Sequence, residues 1–481
     1  MGLSAQSCST ATSGTPGQPP AVTATLGPLA LGVNTAAWDS LYTSANADDV
    51  DRELRVAGMH LLRYPGGSWS DEYDWDTNTD TSKCGGPPTS ACTSPDPLGF
   101  DAFAAQARSA GASTFVTVNY GSGTPAEAAG WMAHALSVKG DAIALAEVGN
   151  ESYECHETDN HLSGSPSDAQ GERDALSPCP STKALAESYA ANSPSYLIAM
   201  RNADPSALVG VPWAFTKDES AGSGVADAAA WNDTILRADG ADIGFVDAHW
   251  YPFQSLSGLT DEQILDSVER IPAAASTIRA TLERYAPKAT FVVGETSMSD
   301  QATTLDFEPI SALFAAATSV AWLQQGAQSV DWWDMNNFGS STGGDFGLLS
   351  SGGSESEPAD APLPPYYGEE MASMLATGGG RLTALATGSP TLIGFQSDLD
   401  DRRRVLLVNA DPGASATVNL RWFPRAVAID TATYSPASAT TSDPIVTSTA
   451  SSDAPLRLPA QSIVVLSGTL SGTLSGAPDD S

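Results

Sequence analysis

From Leu31 onward the chain alternates short apolar runs with amphipathic stretches over about 340 residues, and few folds accommodate so long a repeat. Leu31 to Asn34 predicts a strand, Ala47 to Ala57 a helix, His60 to Tyr64 a strand, Phe100 to Ala110 a helix and Thr114 to Asn119 a strand. Pro125 to Ser137 reads as a helix with proline near its start, Leu145 to Val148 as a strand, Lys183 to Arg201 as a helix after a long loop, and Ala207 to Pro212 as a strand. The pattern continues with a helix at Asp227 to Arg237, the strand Ile243 to Ala248, one long helix from Asp261 to Tyr285 and the strand Phe291 to Val293. It closes with the helix Pro309 to Gln325, the strand Val330 to Trp333 and a helix around Tyr366 to Leu375. Eight strand-helix alternations predict an α/β fold, a closed (β/α)8 TIM barrel rather than an open doubly wound sheet.

A chain of 481 residues exceeds what one hydrophobic core serves, so a second domain is expected. After Gly378 to Gly380 the period shortens. Segments such as TLIGFQ, RRVLLVNA, ATVNLRW and SIVVLSG, separated by Asp, Pro, Gly and Ser turns, predict a C-terminal β-sandwich over residues 379–470. Residues 21–30, with VTATL at their centre, are expected to add an edge strand to it, leaving 31–378 to the barrel. Residues 1–20 have a linker composition and residues 471–481 that of a disordered tail.

The 57 Asp and Glu against 22 Lys and Arg give a formal net charge of −35. Such a surface repels phosphate backbones and anionic polysaccharides, which excludes nucleic acid as the expected partner and favours a neutral ligand. No run of about 20 apolar residues suggests a membrane span. The first 20 residues lack a signal-peptide pattern, so the expectation is a mature secreted chain, extracellular or periplasmic, acting as a monomer. Cys84 and Cys92 bracket one loop, and Cys155 and Cys179 another; local pairing is the simplest framework, with connectivity open, and implies an oxidising compartment. Cys8 is left over as a thiol outside the folded part.

Two strands end in the same way. ALAEVGNES stops at Gly149 and delivers Asn150-Glu151, and TFVVGETS delivers Glu295 after Gly294, at the strand ends where parallel barrels place their chemistry. LLRYPGGSW puts Arg63 at another strand end, where a guanidinium keeps a neighbouring carboxylate ionised or simply makes a structural ion pair. Asn119, Trp213, His249, Tyr251, Trp333 and Asn336 end further strands; aromatics there offer apolar faces to sugar rings, and Asn, His and Tyr offer hydrogen bonds to hydroxyls. The stretch Cys155 to His161 carries metal-type side chains without a zinc spacing and reads as a solvated polar loop, so no metal is expected. Ser68 and Ser297 have no His-Asp partners, and the Gly-rich segments lack the strand-turn-helix context of a phosphate loop, so no cofactor is expected either.

Taken as an ordered set, LRYPGG, VGNE, HWY and VGET resemble the retaining clan A glycoside hydrolases across roughly Leu31 to Leu375. LRYPGGS, NYGSGTPAEAAGW and DWWDMNNFG are similar to bacterial α-L-arabinofuranosidase-like proteins, whereas GETS resembles the heparanase and β-glucuronidase family. The resemblance implies Glu151 as general acid/base, Glu295 as nucleophile, Asn150 as a donor to the sugar 2-hydroxyl, and Arg63 and Tyr251, with His249 nearby, as the groups that orient the nucleophile. Glu295-Thr296 departs from the Glu-Trp of many clan members, so an aromatic platform is expected from Trp332 or Trp333 instead. The expected partner is then an oligo- or polysaccharide. Xyloside and glucuronide remain alternative substrates to arabinofuranoside, and a non-catalytic carbohydrate-binding protein is the reading from another class.

Overall fold

The computed structural model describes residues 22–43, 45–80, 94–139, 143–162, 180–339, 342–353, 357–376, 378–441 and 443–470. Cys8, Cys84, Cys92 and Cys179, the first 21 residues and the last 11 lie outside them. Eight parallel strands close into a barrel: Leu31–Asn34, Leu61–Tyr64, Ser113–Val118, Leu145–Val148, Leu208–Trp213, Phe245–Trp250, Thr290–Thr296 and Val330–Trp332, taken below as the first to the eighth. Each pairs with the next, and the eighth returns to the first with Val330 opposite Leu31.

The helices follow from local chemistry. Ala47–Ala57 and Phe100–Ala110 end at Gly58 and Gly111, both left-handed, as C-terminal glycines allow. Pro125–His134 begins with proline behind a Thr124 cap. The long helix expected from Asp261 to Tyr285 is instead three pieces: Asp261–Asp266, a 3-10 turn Ser267–Arg270, and Ile271–Tyr285. Pro272, which lacks an amide proton, sits in the first turn of the last piece and restarts the helix there. Pro309–Gln324 is buried along its whole length from Ile310 to Gln324, which explains why it is apolar on every face. It packs on Pro364–Ala376, where the buried Glu369 accepts a hydrogen bond from Ser319 at 2.6 Å.

Beyond the barrel lies a seven-stranded antiparallel sheet in the spatial order Thr23–Leu26, Gly380–Ala384, Leu392–Leu399, Arg402–Asn409, Ser462–Thr469, Ala428–Tyr434 and Val446–Ser451. Its two faces can be read from one strand. Leu406 and Val408 join the barrel core, while Val405 and Leu407 pack with Val418, Leu420, Phe423 and Leu458 under a small second layer, Ala416–Val418 paired with Leu456–Leu458. The sandwich is therefore lopsided: on one side the barrel helices take the place of a second sheet. Among the described residues no helix is long and apolar enough to cross a membrane.

Candidate active site

Glu295 owes its position to an irregularity in its strand. The register of the seventh strand shifts against the sixth between Val292 and Glu295, and against the eighth between Val293 and Thr296. Such a bulge re-aims a side chain and frees backbone groups from the ladder. Here both polar groups of Gly294 are taken up by side chains: its N–H donates to Asp247 Oδ1 at 2.7 Å, and its carbonyl accepts from Asn34 Nδ2 at 2.7 Å. A β-carbon at 294 would run into the Asp247 carboxylate, so only glycine fits.

The Glu295 carboxylate is gripped on both oxygens. Arg63 Nη1 donates to Oε1 at 2.6 Å and the Tyr251 hydroxyl donates to Oε2 at 2.7 Å. Arg63 is 1% exposed and spreads over the barrel interior, donating also to Asn34 Oδ1 at 2.9 Å, Asn150 Oδ1 at 3.0 Å and Glu147 Oε2 at 3.1 Å, with Asp247 3.6 Å from its Nε. Glu151 sits across the cleft, in the left-handed conformation with φ 38°, just after Gly149 breaks the fourth strand. Its Oε1 accepts from the Tyr153 hydroxyl at 2.9 Å. His249 joins the two glutamates: Nδ1 lies 3.1 Å from Glu151 Oε1 and 3.5 Å from Glu295 Oε2. Those oxygens are therefore separated by no more than the sum of the two contacts.

Charge in this cleft is shared. Burial lowers the His249 pKa, but Glu295, Asp247 and Glu151 around the ring more than reverse that and hold it well above the usual histidine range. Burial raises Glu151, yet the His249 hydrogen bond and charge, His156 and the Tyr153 hydroxyl hold it below the usual carboxylate range. Glu295 goes up: burial and the charge of Glu151 outweigh His249, Arg63 and Tyr251. The site thus favours the protonated form of the imidazole that lies between the carboxylates. Beneath them Glu147, wholly buried and beside Asp247, is pushed up to about 8.

The remaining residues singled out by sequence divide. Trp333 is half-buried and packs on Trp38 at 6.5 Å, with Trp38 on Trp69 at 5.2 Å, an aromatic group at the strand ends. Gly66 and Gly67, both at positive φ, let Trp38 and Trp333 come close, since a β-carbon on either would meet an indole. Four expectations need correction. Trp213 is 1% exposed in the hydrophobic core and presents no face to a ligand, and Trp332 is likewise 2% exposed. Asn119 spends its amide on its own loop, donating to Tyr73 O and Ser122 Oγ and accepting from the Ser122 and Gly123 amides. Asn336 donates to the Leu349 and Ser350 carbonyls and braces the loop after the eighth strand. Asn150 is held between Arg63 and Glu157, to which its Nδ2 donates at 3.2 Å. Cys155 is in a disulfide, and its partner lies outside the described residues.

Sequence reasoning missed Asn34, Glu147, Asp247, Tyr153 and Glu157. Glu147 and Asp247 carried a signal, a single acid inside the apolar strands LAEV and FVDAHW, where an unpaired charge would be costly.

The fold, a closed parallel barrel with an antiparallel sheet beyond it, is shared with solved glycoside hydrolases. The chain shares its fold with the family 51 arabinofuranosidase from Xanthomonas axonopodis pv. citri, at 17% identity and a TM-score of 0.67, covering 93% of this chain and 98% of that one. The α-L-arabinofuranosidase from Thermotoga maritima superposes with the same score at 15% identity, covering 94% and 100%. The family 44 endoglucanase Cel44A from Clostridium thermocellum gives 0.62 at 12% identity, covering 93% and 98%. No protein-family model and no curated protein matches the sequence.

Proposed function

We propose that this chain is a glycoside hydrolase that cleaves neutral glycosides with retention, by double displacement through Glu295 and Glu151, and that its substrates are arabinofuranoside-like. The carrying observation is the pair of glutamates on one imidazole nitrogen, with one of them fixed on both oxygens by Arg63 and Tyr251. A retaining mechanism needs carboxyls about 5–5.5 Å apart, one to attack and one to pass a proton. Glu295 Oε attacks the anomeric carbon and forms a glycosyl ester while the glycosidic oxygen leaves with a proton from Glu151. Water then attacks the same anomeric carbon, giving its proton to Glu151 while the bond to Glu295 breaks and frees its carboxylate.

Glu151 must be protonated for the first step, although its neighbours in the free protein favour the ionised form. A sugar over the cleft excludes water from Glu151 and brings a basic leaving oxygen beside it, both of which favour its protonated form. His249, whose protonated form the site favours, lies 3.1 Å away through Nδ1. The half-exposed Trp38, Trp69 and Trp333 supply the apolar faces, and the acidic surface favours an uncharged sugar. A disulfide at Cys155 supports action outside the reducing cytosol.

A panel of aryl glycosides, followed by NMR of the first-formed anomer, tests this reading. Turnover with retention supports it. Inversion would remove Glu295 as nucleophile, and binding of oligosaccharides without turnover would favour the carbohydrate-binding alternative.

A further inference from the structure

The loop after the fourth strand brings a second set of donors to Glu151. One ligand atom from each of Glu151, His156 and Glu157 lies within 4.8 Å of the others. The Glu157 side chain is 1% exposed; its Oε1 accepts from Ser68 Oγ at 2.7 Å and Asn150 Nδ2 at 3.2 Å, with His156 Nε2 3.5 Å away. Its Oε2 is buried and has no hydrogen-bond partner among the described residues. A buried carboxylate needs a compensating charge; the His156 imidazole supplies it here, and a divalent cation taking the place of the imidazole proton would hold both groups. The His156 side chain is 51% exposed, so the set opens to solvent and a hydrated ion has a way in. Cys155 is committed to a disulfide and so does not compete as a ligand.

An imidazole with two carboxylates is a donor set that suits zinc, with water in a fourth position, better than it suits calcium or magnesium, which prefer oxygen alone. We infer that Glu151, His156 and Glu157 form a zinc site that, when loaded, switches the glycosidase off. The inhibitory half of this inference rests on the proposed acid/base role of Glu151: a carboxylate whose lone pair is held by zinc can neither carry a proton to a leaving oxygen nor accept one from water. The binding half stands on the geometry alone.

Calorimetry of the full chain with zinc chloride alone separates the two. The expected result is one zinc per chain, with affinity weakened more than about tenfold in His156→Ala, whose exposed position leaves the fold intact. Hydrolysis of an aryl glycoside should fall over the same zinc concentrations, return on chelation, and need correspondingly more zinc in His156→Ala. No binding, or equal binding by both proteins, overturns the site. Binding that His156→Ala weakens, with hydrolysis unchanged at saturating zinc, overturns the inhibition. If the chain hydrolyses no glycoside at all, the functional reading fails, and calorimetry still decides the site.

Discussion

Arg63 places Nη1 2.6 Å from Glu295 Oε1 across a buried barrel interior, and the same guanidinium also faces Glu147, Asp247, Asn34 and Asn150. It is the cation on which the interior carboxylates and the candidate nucleophile converge. Arg63→Met should therefore cost about 3–5 kcal/mol of stability, the usual result of stranding buried partners, as well as activity. Denaturant unfolding checks the first part; a loss under 1 kcal/mol would mean that the interior acids do not depend on Arg63.

The Tyr251 hydroxyl is the second grip on Glu295, at 2.7 Å, and is one of the groups that hold the Glu295 pKa down against burial. Tyr251→Phe should lower kcat/KM by roughly 10- to 100-fold, the effect of losing a hydrogen bond to a charged group. It should also move the acid limb of the pH profile upward, because the ionised form loses a donor. An unmoved limb with a lowered rate would assign Tyr251 to substrate contact instead.

Glu295 and Glu151 serve different steps in the proposed mechanism, and leaving-group dependence separates them. Glu295→Ala should be inactive on every glycoside. Glu151→Ala should keep activity on substrates with good leaving groups and regain rate with azide, since an activated aryl oxide leaves without a proton and azide attacks the glycosyl ester without a base. Uniform loss without azide rescue would count against Glu151 as acid/base.

Much of this was legible in the chain, and the failures have physical causes. Strand-helix alternation predicts closure of the barrel because each element carries its own period, and Gly149 and Gly294 mark the ends at which the glutamates emerge. Residue type at a strand end does not say where a side chain spends its hydrogen bonds or whether it meets solvent. Asn119 satisfies its own loop, as Asn often does in turns, and Trp213 is lost to the core. The sequence reading passes over Asp247 and Glu147, acids in apolar strands whose shared partner Arg63 comes from a strand far away in sequence and meets them only on closure. The break at Pro272 was visible as a residue and overlooked because the apolar pattern runs through it.

Several buried carboxyls set the pH dependence of stability. Burial pushes Glu369 up to about 8, Asp306 up to about 8 and Asp239 up to about 7. A carboxyl whose folded pKa exceeds its unfolded value binds more protons folded than unfolded, so stability falls as pH rises from the unfolded value, about 4, to the folded one. The chain should therefore lose melting temperature steadily from pH 5 to pH 8. Glu369→Gln should flatten that decline by up to one proton, about 1.4 kcal/mol per pH unit. A melting temperature that rises from pH 5 to pH 8 would contradict these shifts.

Substrate charge is the last expectation. A uronate brings a carboxylate that needs a cation or amide partner once desolvated. Arg63 is 1% exposed and engaged with Glu295 and Glu147, and His249 is engaged with both glutamates, so neither is open to it. A pentofuranoside asks only for hydroxyl partners and an aromatic face, which the half-exposed Trp333 and Trp38 provide. On these grounds kcat/KM for an aryl α-L-arabinofuranoside should exceed that for an aryl β-D-glucuronide by at least the roughly tenfold that 1.4 kcal/mol represents. Raising the salt should weaken whatever repulsion the acidic surface exerts and narrow the gap from the glucuronide side. A preference for the glucuronide at both salt concentrations would reverse the ranking of substrates while leaving the two-glutamate chemistry untouched, because the sugar carboxylate lies away from the anomeric carbon that Glu295 attacks.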